Sequence, residues 1–168
     1  RLVEQLLAKR YPEQTMRCPM HLCLGQESSA AAFGLLADRS DAFLGNYRSH
    51  GHYLAKGGDL VAFFAELLGR SAGCSGGMGG SMHLIDRSKG FFGSSAIVAA
   101  TVPIAAGVAL AFKRRNAGQV SVCFFGDAAM EEGVLYETVN FALLHRLPMI
   151  FVCENNRLAI STPLELRT

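Results

Sequence analysis

Apolar residues recur along this chain in two rhythms. From Arg1 to Arg10 they fall at the spacing of an amphipathic helix, and the pattern stops ahead of Pro12, which disfavours a helical residue before it. Gln26 to Asp38 is alanine-rich and periodic, which predicts a second helix. Asp59 to Leu68 predicts a third, with Asp59 as its N-cap and Gly69 just past its end. Between these two helices, Phe43 to Leu54 mixes aromatics, glycines and histidines and predicts a strand end running into a loop. Val102 to Arg115 predicts a helix with an Ala/Gly-rich buried face, opened by Pro103. Val120 to Phe125 is a continuous apolar run, a buried parallel strand by type, and it stops at Gly126-Asp127. Met130 to Arg146 follows as a helix, with Val134, Leu135, Val139, Ala142 and Leu143 on one face. Pro148 to Cys153 is a second apolar run that stops at Glu154-Asn155-Asn156. Strand, helix, strand in this spacing is a βαβ unit, whose crossover is expected to be right-handed. The expected fold class is α/β, an open and mostly parallel sheet with helices on both faces.

One segment breaks both rhythms. Between Ser71 and His83 stand Gly73, Gly76, Gly77, Gly79 and Gly80, too many glycines to build a core. The stretch lacks the Gly-Lys-Ser/Thr ending of a nucleotide-binding P-loop and is expected to be a flexible surface loop near a subunit interface. With 168 residues, half of them apolar, the chain suffices for a single packed domain over residues 1–168. It opens on Arg1 rather than Met and stops at Thr168 soon after a strand, so a piece of a longer subunit, cut at both ends, is expected. A net charge of +2 without any Lys/Arg run excludes a phosphate-tracking surface, so no nucleic-acid partner is expected. None of the five cysteines forms a C-x-x-C pair, and Cys123 and Cys153 sit in apolar runs, which points to a reducing compartment without disulfides or zinc. No signal peptide and no bilayer-length apolar stretch is present, so a cytoplasmic location of bacterial type and no membrane partner are expected.

In an open parallel sheet, ligands bind outside the carboxyl ends of the strands. Asp127 and Asn156 are the committed polar side chains just after the two apolar runs, and they meet if those strands are neighbours. A carboxylate with an amide oxygen makes a poor zinc site but a good partial magnesium site, since magnesium takes oxygen ligands and borrows several from phosphate. A backbone carbonyl just past Asn156 adds another donor. The edge therefore suits a diphosphate held through a divalent cation. The alternative reading is local: Asp127 caps the next helix and Asn155-Asn156 is a turn.

The Gly126-Asp127 step, followed by Asn155-Asn156 after the next strand, resembles the thiamine diphosphate motif, which opens with Gly-Asp-Gly and closes with paired asparagines. His21-Leu22-Cys23-Leu24-Gly25-Gln26-Glu27, Tyr47-Arg48-Ser49-His50-Gly51, Gly79-Gly80-Ser81-Met82-His83 and Leu147-Pro148 with Cys153-Glu154-Asn155-Asn156 are, in order, similar to the E1 α subunit of 2-oxo acid and acetoin dehydrogenases. The resemblance implies a thiamine-diphosphate-binding fold and an α2β2 heterotetramer with E1 β. The cofactor would lie between α and β, and acyl groups would pass to a lipoyl-bearing E2. It implies a small-molecule 2-oxo acid substrate, pyruvate-like, with acetoin or a branched-chain acid as alternatives. Carried over by position, Tyr47 and Arg48 would bind the diphosphate, and Ala128 and Ala129 would lie against it. The backbones of Ala96 and Val98 would meet the aminopyrimidine ring. Asp127, Asn156 and the Leu158 carbonyl would ligate Mg2+, and His21 would face the substrate.

Three departures stand out. Ala128 replaces the family glycine, a strained choice if that position needs a positive φ. Leu158 replaces a common aromatic residue, and the family's second catalytic histidine lies beyond Thr168. Among the remaining histidines, His50 either approaches the active site as a second catalytic group or stabilises its loop, and His83 anchors the glycine-rich stretch. A non-catalytic cofactor-binding partner and an unrelated α/β nucleotide-binding domain remain the competing functions.

Overall fold

The computed structural model describes residues 1–167 of the chain. In chain order the elements are α1 (Leu2–Arg10), α2 (Glu27–Leu36), β1 (Ala42–Gly45), α3 (His50–Ala55), α4 (Leu60–Leu67), β2 (Phe91–Ser94), α5 (Thr101–Arg114), β3 (Ser121–Gly126), α6 (Gly133–Leu144), β4 (Met149–Glu154) and a small hairpin of β5 (Leu158–Ala159) and β6 (Thr162–Pro163). The first four strands form one sheet in the order β2-β1-β3-β4, and every pair in it is parallel. The expected βαβ unit is present as β3, α6 and β4, paired from Ser121↔Met149 through to Gly126↔Glu154.

The alternation of side chains along a strand decides which helix packs where. Phe43 of β1 and Val122 and Phe124 of β3 point to one face, where they meet Leu7, Tyr53, Phe63 and Leu67 from α1, α3 and α4. Ala42 and Leu44, with Cys123 and Phe125, point to the other face and meet Val102, Ala105 and Phe112 of α5 and Leu135 of α6. Helices therefore cover both faces, as the continuous apolar character of β3 requires. The first face is tied by ring contacts. Phe124 stands edge-on to Phe33 at 5.3 Å and to Phe43 at 5.2 Å between centroids. Both Phe43 and Phe124 are fully buried, and truncating such a ring to alanine costs about 3–5 kcal/mol.

Asp59 caps α4 as expected, its Oδ1 accepting the Ala62 N–H at 2.6 Å. Two elements differ from expectation. The segment read as loop after Phe43 holds the six-residue α3, whose Gly- and His-containing sequence has little intrinsic helicity and which is stabilised by burial of Tyr53. Strand β2, four residues long, had no pattern to announce it; it pairs with β1 at the edge of the sheet, and its Phe91 also bridges to Asp86.

The glycine-rich stretch is organised rather than open. It wraps around the carboxylate of Glu66, a buried residue on α4. Oε2 accepts the N–H groups of Ser75 at 2.7 Å and Gly77 at 2.9 Å, and Oε1 accepts those of Gly79 at 2.6 Å and Gly80 at 3.0 Å. The glycines permit this approach: a Cβ on Gly77 would fall 2.5 Å from the Arg70 carbonyl oxygen, and one on Gly79 would fall 2.3 Å from that of His83. Burial pushes the Glu66 carboxyl up, but the four N–H donors outweigh it and hold it below its ordinary value of 4.5. The stability it contributes is therefore complete above pH 4.5 and is lost as pH falls through the lower folded value. Glu66→Gln leaves one acceptor oxygen for four donors. It is expected to cost about 2–4 kcal/mol in urea denaturation at neutral pH and to flatten the acid limb of the stability profile. Unchanged stability would show that the loop does not depend on this carboxylate.

Candidate functional site

Because β1, β3 and β4 run parallel, their carboxyl ends share one edge. The residues that leave that edge line a small cleft of about 30 Å³: Gln26, Asn46, Tyr47, Arg48, Gly126, Asp127, Ala128, Glu154, Asn156 and Leu158. Six of the residues expected at the site are thus brought together: Tyr47, Arg48, Asp127, Ala128, Asn156 and Leu158. Ala129 is buried just behind them, in the 3-10 turn Asp127–Glu131. Ala96 and Val98 lie in the turn that follows β2, outside the cleft lining. His50 is placed inside the protein, fully buried, with Nδ1 2.7 Å from Glu4 and Nε2 2.7 Å from Ser81. Of the two roles expected for it, its burial and its two partners fit the loop-stabilising one.

Asp127 is the first residue after β3 and is only 7% exposed. Its Oδ2 is engaged by a guanidinium nitrogen of Arg167, whose other terminal nitrogen donates to Glu131 at 2.6 Å. The Nε of Arg167 is buried without a partner. A nearly buried carboxylate needs hydrogen-bond donors or a counter-charge to offset its lost hydration, and here Arg167 supplies both. After β4 the chain reverses through two Asx turns. Asn155 Oδ1 accepts the Arg157 N–H at 2.9 Å, and Asn156 Oδ1 accepts the Leu158 N–H at 3.0 Å. The turn once weighed as an alternative to ligation is therefore present, and it leaves Asn156 Oδ1 a second lone pair. Among the described residues no three His, Cys, Asp or Glu side chains converge as a metal cluster. The donors around Asp127 are oxygens only: a carboxylate, an amide and a backbone carbonyl. That chemistry fits a hard divalent cation. Ala128 is not among the non-glycine residues of positive φ, so alanine carries no left-handed strain there.

Tyr47 and Arg48 sit on a tight turn after β1. Asn46 Oδ1 accepts the Arg48 N–H at 2.7 Å, and Ser49 Oγ donates to the Asn46 carbonyl at 2.6 Å. Gly45 lets this turn close, because a Cβ there would fall 1.9 Å from Ser49 Oγ. The Arg48 guanidinium lies 5.8 Å from the Tyr47 ring centroid and also donates to the Leu22 carbonyl. His21 packs on the other side, its ring 4.8 Å from that of Tyr47. Burial, and after it the positive charge of Arg48, holds the His21 imidazole below its ordinary value of 6.5. It is neutral at neutral pH and able both to donate and to accept a hydrogen bond.

Residue reasoning alone missed Gln26, Asn46, Glu154 and Arg167. Glu154 is the last residue of β4, and its carboxylate gathers three elements. Oε1 accepts from His52 Nε2 at 3.0 Å and from Ser29 Oγ of α2, and Oε2 accepts from Asn46 Nδ2 at 3.3 Å. The signal was available for two of these: Asn46 and Glu154 both follow apolar strand residues directly, as Asp127 does. Nothing local marks Arg167, which meets Asp127 from forty positions away. Burial raises the Glu154 carboxyl, but the His52, Ser29 and Asn46 hydrogen bonds bring it below 4.5. Glu154→Gln keeps the shape but offers one acceptor oxygen to three donors. A loss of about 1–3 kcal/mol is expected by thermal or urea denaturation, with faster amide exchange in residues 46–49. Wild-type stability and exchange would disprove the bracing role.

The family model described as dehydrogenase E1 component matches residues 1–168. The chain is 44% identical over 152 residues to the pyruvate dehydrogenase E1 component subunit alpha-1, mitochondrial, of Oryza sativa subsp. japonica, covering 90% of this chain and 39% of that protein. It is 47% identical over 148 residues to the pyruvate dehydrogenase E1 component subunit alpha of Zymomonas mobilis, covering 86% and 41% respectively. The somatic mitochondrial form of Homo sapiens is 39% identical over 155 residues, covering 92% and 39%. The chain thus spans about two fifths of the length of the curated relatives it matches. A solved structure described as a candidate thiamin diphosphate-dependent enzyme from Mycobacterium smegmatis superposes with a TM-score of 0.53 at 16% identity, over 86% of this chain and 22% of the other, which is a likeness of fold.

Proposed function

This chain belongs to the dehydrogenase E1 component family, and from that premise we propose that it forms the metal-and-diphosphate half of a pyruvate-type E1 α subunit. The reading is carried by one observation. Asp127, Asn156 and Leu158 line the same cleft as Tyr47 and Arg48, at the carboxyl edge of a parallel sheet. Partnership with an E1 β chain in an α2β2 assembly, transfer of the acyl group to a lipoyl-bearing E2, and a bacterial-type cytoplasmic setting are parts of the same proposal. Pyruvate is favoured over acetoin and branched-chain acids because the relatives cited above are named as pyruvate dehydrogenase subunits. The relaxed φ of Ala128 removes a reason for reading the chain as a partner that has lost catalysis.

In this reading the Asp127 carboxylate, Asn156 Oδ1 and the Leu158 carbonyl would hold Mg2+, which would supply positive charge beside Asp127 and to the diphosphate oxygens. Tyr47 and Arg48 bind the diphosphate, where the planar guanidinium fork matches phosphate oxygens. Ala128 and Ala129 flank it with little bulk, and the backbones of Ala96 and Val98 meet the aminopyrimidine ring. When bound, thiamine diphosphate supplies a nucleophilic ring carbon and an electron sink for the departing carboxylate. His21, neutral and adjacent to Tyr47, hydrogen-bonds the substrate carboxylate or the developing alkoxide and carries a proton.

Calorimetry on the full-length α2β2 assembly tests the cofactor reading. Asp127→Ala is expected to weaken magnesium-dependent thiamine diphosphate binding on the order of 100-fold or more. Wild-type affinity in that variant would sink the proposal. The substrate follows from reduction of an artificial electron acceptor with pyruvate, branched-chain 2-oxo acids and acetoin. Turnover of pyruvate in preference to the others is expected, and preference for acetoin would reassign the reaction.

A further inference from the structure

Three residues far apart in sequence form a directed chain of hydrogen bonds beneath the His21 segment. Glu4 comes from α1, His50 opens α3, and Ser81 ends the glycine-rich stretch. Their relative exposures are 2%, 0% and 0%, so water does not compete for these groups. Glu4 Oε1 lies 2.7 Å from His50 Nδ1, and His50 Nε2 lies 2.7 Å from Ser81 Oγ. Ser81 Oγ in turn accepts the backbone N–H of His21 at 3.3 Å. The second oxygen of Glu4 accepts the N–H of Cys23 at 2.5 Å.

Donor and acceptor accounting fixes the direction of the chain. An ionised carboxylate only accepts, so His50 Nδ1 carries a proton toward Glu4. In the neutral imidazole Nε2 is then an acceptor and takes the Ser81 O–H. Ser81 Oγ, its proton committed, keeps its lone pairs for the His21 N–H. Every polar group in the chain is satisfied in this one tautomer. Protonating His50 would leave the Ser81 hydroxyl without an assigned acceptor in a closed site. The order acid, imidazole, hydroxyl is that of a hydrolytic triad, but burial of Ser81 and its contact with the His21 N–H leave no approach for a substrate.

We propose that Glu4, His50 and Ser81 form a positioning relay that holds the backbone of His21 and Cys23, and so aims the His21 side chain across Tyr47 into the cleft edge. Together with Arg48, which donates to the Leu22 carbonyl, the relay secures three consecutive residues of a segment that has no secondary structure of its own. His50 is then a positioning residue, not a catalytic one. The glycine-rich stretch acquires a purpose as well: Glu66 shapes it so that Ser81 arrives at His50. The functional consequence rests on the reading of His21 as the group that faces substrate.

The test uses the full-length subunit assembled with its partner chain. Ser81→Ala is expected to accelerate amide exchange at His21 about ten-fold or more. It is also expected to lower kcat about three- to ten-fold, with the KM and the thiamine diphosphate affinity close to wild type. Ser81→Thr, which keeps the hydroxyl, returns both readouts toward wild type. Glu4→Gln leaves one oxygen for two donors and is expected to accelerate exchange at His21, Cys23 or both. Unchanged exchange in both Ser81→Ala and Glu4→Gln overturns the relay. So does a parallel fall of kcat, cofactor affinity and melting temperature, which marks damage to the fold alone. Accelerated exchange with unchanged kcat also overturns it as a positioning device. His21→Ala with full turnover refutes only the role given to His21, while the exchange pattern still decides whether the relay holds the segment.

Discussion

Parallel pairing of β1, β3 and β4 is the constraint on which the rest of the structure depends. Its register sets Gly126 against Glu154, so that Asp127 and the Asn155-Asn156 pair leave the sheet side by side. The same pairing sets β1 beside β3, which delivers Tyr47 and Arg48 to the same edge. A slip of one residue in either pair would turn each strand's side chains to the opposite face and separate the oxygen donors from the arginine. The pairing is enforced by burial on both faces. Phe43 and Phe124 lock one layer, and Leu44, Cys123 and Phe125 lock the other.

A second theme is the use of buried carboxylates to organise irregular backbone. Glu66 closes the glycine-rich stretch, Glu154 ties the ends of β1 and β4 to α2 and α3, and Glu4 anchors the segment before α2. Each is satisfied by N–H or O–H donors from outside its own element, and in each the hydrogen bonds outweigh desolvation to favour the ionised form. Segments without regular structure cannot pair their own backbone groups, so they borrow a charged acceptor from a neighbouring helix or strand. Asp127 belongs to the same class but differs in one respect: its partner is a guanidinium, not a backbone donor. That pairing sets a full positive charge beside a carboxylate that lines the cleft.

The cleft itself combines rigid and adaptable parts. Arg48 is held by its contacts to Tyr47 and Leu22, so its planar guanidinium is fixed at the cleft edge. His21 stands beside them as a neutral imidazole, kept so by burial and then by the charge of Arg48. The Asx turns after β4 present Asn156, and lead Leu158 into the short β5–β6 hairpin.

Much of this was legible in the linear pattern. The apolar runs at residues 120–125 and 148–153 announced the βαβ unit and drew attention to Asp127 and Asn156 just beyond them, because strand period and burial act locally. The order of motifs carried the family, and Tyr47, Arg48, Ala128 and Leu158 reached the cleft as that resemblance implied. Short elements were not legible: α3 and β2 depend on packing that no local propensity encodes. The tertiary structure alone decided that His50 is buried, that Ser81 and Glu4 enclose it, and that Arg167 meets Asp127. The physical reason is the same in every case. A side chain's chemistry is set by its type, which the sequence states, but its role is set by which partners satisfy it, and those partners arrive from 30 to 125 positions away only when the sheet has closed.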